Sequence, residues 1–144
     1  GITAAVTMAL LADSLRIDGR TIQDVLDSFA DRFGLHATAP VTFRVEDVSL
    51  ISAAMQQLRS TAPTELAGSE VVSVIELGEG YNGLPPTDGL ILLTAANDRV
   101  IIRPSGTEPK LKCYLEVILP GGTWEEAHKR LDAIGEELRG VIGL

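Results

Sequence analysis

The chain has 144 residues, 45% of them hydrophobic, enough to bury the core of one ordinary domain or of a small domain with part of another, which excludes a disordered chain. Twelve Lys and Arg against twenty Asp and Glu leave a net charge of −8, the wrong sign for tracking nucleic acid or anionic lipid, so any phosphate site has to be a local basic spot. The single cysteine, Cys113, closes no internal disulfide and lies in strand-like surroundings, which points to a buried thiol and a reducing, cytoplasmic compartment.

In chain order, residues 2–15 are apolar nearly all round, as in a buried helix packed on several sides. Asp13 and Arg16 interrupt the run too early for a membrane span, and the run shows no basic n-region of a signal peptide. A chain that opens directly in such a helix reads as the continuation of something longer. Gly19 marks a break. Thr21 with Asp24 forms a capping arrangement, and Ile22, Val25, Leu26, Phe29 and Phe33 recur at steps of three and four, which predicts an amphipathic helix over 21–33, stopped by Gly34. Residues 35–40 show no periodicity and end in Pro40, so the main boundary is placed there, dividing the chain into 1–39 and 40–144.

Val41 to Val45 alternates as a strand does, and Asp47 stands as the N-cap of a helix with Leu50, Ile51, Ala54, Met55 and Leu58 on its inner face. Thr61-Ala62-Pro63 ends that helix. Strands are predicted over 71–77 and 90–95, and Asn97-Asp98 is a two-residue turn signal leading into a strand over 99–103. After a loop over 104–110, Leu111, Cys113, Leu115, Val117 and Leu119 share one strand face, with Lys112, Tyr114 and Glu116 on the wetter one. Thr123 with Glu126 caps a final helix whose stripe is Trp124, Ala127, Leu131, Ile134, Leu138 and Val141. This order of elements describes an α+β fold, an antiparallel sheet with helices against one face.

Two motifs carry no chemistry. Gly78-Glu79-Gly80-Tyr81-Asn82-Gly83 spells a dinucleotide fingerprint, but Leu84-Pro85-Pro86 follows, so no helix starts where the pyrophosphate would need its amides, and the segment reads as a surface loop. His36 and His128 stand alone, without the carboxylate or thiol spacing of a metal site.

The informative segment is Arg103-Pro104-Ser105-Gly106-Thr107-Glu108-Pro109-Lys110. Arg103 offers a planar fork of donors, Ser105 and Thr107 add hydroxyls, and Gly106 allows a tight backbone whose amides can line an anion. Two prolines stiffen the loop, so a ligand orders less chain on arrival. Lys110 adds charge. Lys112 reads as a solvated charge on the wetter face, and the Glu108 side chain is expected to point away from any ligand. From spacing alone two readings stand: a seat for a phosphate monoester, or an ordinary hairpin turn with Arg103 paired to a surface carboxylate. Tyr114 either stacks on ligand or covers sheet.

That eight-residue run resembles the phosphate-binding loop in the last domain of the α-D-phosphohexomutases, the family of phosphoglucomutases, phosphomannomutases, phosphoglucosamine mutases and a phosphopentomutase branch. The resemblance continues through Leu111-Lys112-Cys113-Tyr114-Leu115-Glu116, and Gly1-Ile2-Thr3-Ala4-Ala5 is similar to the last helix of the family's third domain. It implies a TATA-binding-protein-like domain over 40–144, preceded by two helices that finish an α/β domain. It also implies that Arg103, Ser105, Gly106, Thr107 and Lys110 hold the non-reacting phosphate of a phosphohexose during intramolecular phosphoryl transfer. The family's phosphoserine loop, its magnesium-binding aspartates and its sugar-reading loop are absent from these residues. The implied magnesium therefore belongs to the other domains of a longer enzyme, and the fragment alone is expected to be inactive. Two alternatives are a stand-alone phosphate- or phosphosugar-binding module without turnover, and an interaction module docking through its apolar N-terminal helices.

Overall fold

Alternation along the last strand sets the architecture, because burying Leu111, Cys113, Leu115 and Val117 on one face obliges the rest of the chain to cover that face. The computed structural model describes residues 1–143. Its elements are α1 (Ile2–Ile17), α2 (Ile22–Phe33), β1 (Leu35–Arg44), α3 (Ser49–Ser60), β2 (Glu65–Leu66), β3 (Ser69–Glu76), β4 (Leu90–Thr94), β5 (Arg99–Pro104), β6 (Lys110–Leu119) and α4 (Trp124–Ile142). The strands form one six-stranded sheet in the order β1-β6-β5-β4-β3-β2, with every pairing antiparallel.

Register sorts the two faces. Val41, Cys113, Ile102 and Leu90 lie in one row, and Leu115, Val100 and Leu92 in the next. These rows join Ile51, Ala54, Met55 and Leu58 of α3 and Ala127, Leu131, Ile134 and Leu138 of α4 in one continuous core. Within α4, Gly135 lets the helix approach the sheet: a Cβ there would lie 3.3 Å from Val41 Cγ2. Both capping boxes form as the sequence predicts, Thr21 with Asp24 on α2 and Thr123 with Glu126 on α4. Burial pushes the Cys113 thiol up to about 12, so this core cysteine stays protonated and unreactive near neutrality.

Several expectations are corrected. Residues 35–40 are no linker: they form the first half of β1, with Leu35 and Ala37 buried. Pro40 is tolerated because β1 is an edge strand, where a missing N–H costs no ladder bond. The N-cap of α3 is Val48 rather than Asp47, although Asp47 Oδ1 still accepts from the Ser49 amide at 2.8 Å. The two-residue strand β2 has no periodic signal, yet its Leu66 is fully buried. Helix α1 is not buried: Ile2 is 86% and Leu10 67% exposed, and Leu15 is its one buried residue. On α4 the stripe frays at both ends, with Trp124 exposed and Ile142 buried in place of Val141.

The turn between β4 and β5 is also longer than two residues. The Asn97 amide donates to Thr94 O at 3.0 Å and the Thr94 amide to Asp98 O at 3.0 Å, while Asn97 takes a left-handed φ of 64°. Asp98 is not a turn residue facing water but is 0% exposed. Its carboxylate accepts from Arg130 Nε at 2.9 and 3.1 Å, from an Arg130 Nη at 2.7 Å and from Thr94 Oγ1 at 2.9 Å. This network fastens α4 to the hairpin. Removing one partner of such a pair leaves a buried charge unpaired, so Arg130→Ala should cost about 3–5 kcal/mol in urea unfolding. The double variant Arg130→Ala/Asp98→Ala should recover part of that loss.

Candidate functional site

Strands β5 and β6 are joined by residues 105–109, shorter than the predicted loop because Pro104 still pairs with Leu111 and Lys110 already opens β6. The loop is pinned at its ends. The Ser105 amide donates to Lys110 O at 2.8 Å, the Lys110 amide to Glu108 O at 2.7 Å, and the Val45 amide, at the exit of β1, to Pro109 O at 3.1 Å. Between these ties, no backbone carbonyl among the described residues accepts from the amides of Gly106, Thr107 or Glu108. Three neighbouring donors left to solvent or ligand are the raw material of an anion seat.

Gly106 is not demanded by the fold: its φ lies outside the left-handed region, and a Cβ there would meet nothing within 4 Å. Gly89, just before β4, is the opposite case. A Cβ there would lie 3.0 Å from Ile102 O, 3.2 Å from Leu77 Cδ1 and 3.3 Å from Arg103 Cβ, so a bare backbone is what lets the chain pass directly beside Arg103. The segment before Gly89 is held by Arg59 of α3, which pairs with Glu76 at 2.6 Å and Asp88 at 2.5 Å. Asp88-Gly89 looks like a plain turn in the sequence, and neither its clamp nor its neighbour carries a local signal. The glycine-rich segment 78–83 is a loop closed by a Tyr81–Leu84 bridge, with no helix after it.

Arg103 is exposed at the end of β5, in register with Lys112, and no carboxylate among the described residues lies within ion-pair distance of it. The carboxylate partner that the hairpin-turn reading offered Arg103 is thus not found among the described residues. Ser105 is half-buried at the base of the loop and Thr107 is exposed at its tip. Lys110, with its side chain 12% exposed, pairs with Glu108. That pairing, first through the hydrogen bond and then through its charge, holds the Glu108 carboxyl below its ordinary range, and the charges of Lys112 and Arg44 push the same way. The Glu108 side chain lies against a cation of its own loop. Lys112 is half-buried between Thr42 and Arg103 rather than a freely solvated charge.

The remaining candidates lie elsewhere. Tyr114, 45% exposed, sits one row along the same sheet face, in a groove of about 410 Å³ with Pro40, Ile101 and Arg99. His36 lies 3.7 Å from Glu116 on that face, and His128 stacks on Trp124. Among the described residues no group of three or more His, Cys, Asp or Glu side chains could hold a metal ion, and no helix is long and apolar enough to cross a membrane. A concavity of about 710 Å³ lies at the opposite end of β6 beside Leu119, Gly121 and Gly122. Two of its charged groups are already engaged, Arg130 with Asp98 and Glu137 with the Ala67 amide at 2.8 Å, so the loop is the better candidate for an anion.

Residues 50–121, a span that contains the loop, match the family described as phosphoglucomutase/phosphomannomutase, C-terminal domain. Over 142 residues the chain is 33% identical to a probable phosphomannomutase of Haemophilus influenzae, covering 99% of this chain and 28% of that protein. It is 27% identical to a phosphopentomutase of Mus musculus, covering 99% of this chain and 25% of that protein. With a phosphoglucomutase of Staphylococcus aureus the identity is 25%, over 85% of this chain and 24% of that one. The crystal structure of parafusin, a phosphoglucomutase from Paramecium in its open form, superposes with a TM-score of 0.61 at 14% identity, over 85% of this chain and 23% of that chain. That likeness supports the expected α+β fold. The chain thus spans about a quarter of the length of these relatives.

The two glycines beside the site should respond oppositely to a methyl group. Gly89→Ala should destabilise the chain by about 1–3 kcal/mol, the usual cost of forcing atoms into a packed space, whereas Gly106→Ala should leave the unfolding midpoint in urea unchanged.

Proposed function

Because the chain belongs to the phosphoglucomutase/phosphomannomutase family through its C-terminal domain, we propose that it is the phosphate-gripping part of a longer phosphosugar mutase. Arg103, Ser105, Gly106, Thr107 and Lys110 bind the phosphate that is not being transferred. One observation carries this reading: an arginine without a carboxylate partner stands beside consecutive loop amides without backbone acceptors.

The chemistry follows from donor geometry. Arg103 presents two parallel N–H groups to two phosphate oxygens, the amides of Gly106 and Thr107 approach a third, and the Ser105 and Thr107 hydroxyls rotate to whichever lone pairs remain. Gly106 keeps the backbone bare where the phosphate comes closest. None of these groups attacks or leaves. Their work is to fix the sugar in line with a phosphoryl donor supplied by the other domains, and positioning is a large part of the rate in phosphoryl transfer. A grip on phosphate alone also suits an intermediate with a phosphate at each end, since either end fits the same seat. Alignment of this chain with relatives named for mannose, pentose and glucose phosphates supports a site that ignores the sugar.

Magnesium, which the family resemblance implies for the longer enzyme, has no fitting ligand cluster among the described residues, and the fragment alone is inactive on this reading. Helices α1 and α2 close the preceding domain. Ile2, Val6 and Leu10 of α1 and Leu26 and Phe29 of α2 are exposed, as expected of surfaces that another domain covers. The boundary then falls at Gly34, because β1 already pairs with β6 from Leu35. The cytoplasm is the compartment that fits a phosphosugar enzyme with a reduced core thiol.

The test is Arg103→Ala in the full-length mutase. Loss of a charge-assisted contact should weaken apparent phosphosugar affinity by about 1.5–3 kcal/mol, and Arg103→Lys should recover it only in part, because a point charge cannot replace the planar fork. Unchanged affinity in Arg103→Ala would contradict the assignment.

A further inference from the structure

Cross-strand register creates an arrangement that the loop sequence does not show. Arg44 of β1 lies directly opposite Lys110, and Lys112 lies directly opposite Arg103 on one side and Thr42 on the other. Lys110 and Lys112 are two residues apart on one strand, so all four cations share the sheet face that points away from α3 and α4. Like charges directly opposite one another destabilise a sheet, and two such pairs stand side by side. Neither Arg44 nor Lys112 has a carboxylate within ion-pair distance among the described residues. Four cations therefore share this face, and the charges of three of them, Lys110, Lys112 and Arg44, reach one carboxylate, Glu108, in a chain whose net charge is −8.

Local repulsion that acidic residues could have relieved, and do not, is expected where an incoming anion supplies the missing charge. We propose that Arg44 is a further binding residue of the phosphate site, contributed by β1 from a part of the chain far from the loop. The inference rests on the phosphate reading of the loop given above and extends it by one residue and one strand. The ligand class is a phosphate monoester dianion, whose two charges offset this cluster better than the single charge of Glu108. Geometry supports the placement, because the residue after Arg44 ties β1 to the loop through the Val45 amide and Pro109 O at 3.1 Å. The charge of Arg44 also reaches the Glu108 carboxyl together with those of Lys110 and Lys112, so the cations face a common space. Arg44 is exposed, which leaves its charge as the property to explain.

The experiment is a calorimetric titration of the 144-residue chain with inorganic phosphate at several salt concentrations, comparing wild type with Arg44→Ala, Arg44→Lys, Arg103→Ala and Arg99→Ala. Arg99 is the control: it lies on the same face, removes the same charge, and is paired with Glu116 at 2.7 Å instead of facing the loop. Arg44→Ala should weaken phosphate binding by about three- to ten-fold and flatten its salt dependence, with Arg44→Lys close to wild type and Arg99→Ala unchanged. Its unfolding midpoint should be unchanged or slightly raised, since repulsion is relieved, whereas a merely structural arginine would lower it. Arg44→Ala binding like wild type while Arg103→Ala binds weakly would overturn the role of Arg44 and leave the loop reading intact. Arg103→Ala binding like wild type, or wild type failing to bind, would overturn the loop reading and this extension together.

Discussion

The ladder between β1 and β6 runs from Leu35↔Leu119 to Arg44↔Lys110 and joins segments from opposite ends of the sheet-forming chain. Closing so long a loop costs entropy before any contact rewards it. What offsets the cost is the row of apolar side chains that the pairing places under α4. The same ladder also shapes the candidate site, because its far end places Arg44 opposite Lys110 and its exit residue holds Pro109 in place. Core and site are thus two ends of one pairing, and a register slip in it would expose Val41 and Phe43 and dismantle the cation cluster together.

At the site the structure keeps a preformed but unsatisfied geometry. Both ends of residues 105–109 are tied by backbone bonds and Pro104 remains in its strand, while the amides between them are left without backbone acceptors. Ordering such a segment in advance reduces the entropy that a ligand must offset. The repelling cations are the counterpart of this preorganisation, a local cost that the remainder of the sheet sustains. Glu108, paired with Lys110, is the resident anion that softens it.

Much of this was legible in the amino-acid sequence wherever the cause was local. Capping boxes at Thr21 and Thr123 are short-range motifs, the alternation along β6 is a direct imprint of one buried face, and the donor groups of Arg103 to Lys110 can be read from the residues themselves, although spacing alone left an ordinary turn as the other reading. Features set by distant contacts left no such imprint. Asp98 resembles any turn aspartate until Arg130 arrives from α4, Pro40 resembles a strand-breaker until β1 proves to be an edge, and Arg44 is one more surface arginine until register places it opposite Lys110. Helix α1 errs the other way. Its apolar sequence demands burial that the described residues do not supply, and the demand belongs to the longer protein proposed above.

The most direct test of the phosphate grip is an NMR titration of the chain with glucose 1-phosphate, mannose 1-phosphate and inorganic phosphate, following the backbone N–H groups of Arg103, Ser105, Gly106, Thr107, Glu108 and Lys110. A sugar-blind phosphate grip requires shifts confined to those amides and to Arg44 and Val45, alike for all three ligands. Shifts that differ between the two sugar phosphates, or that centre on the concavity beside Gly121 and Arg130, would contradict it.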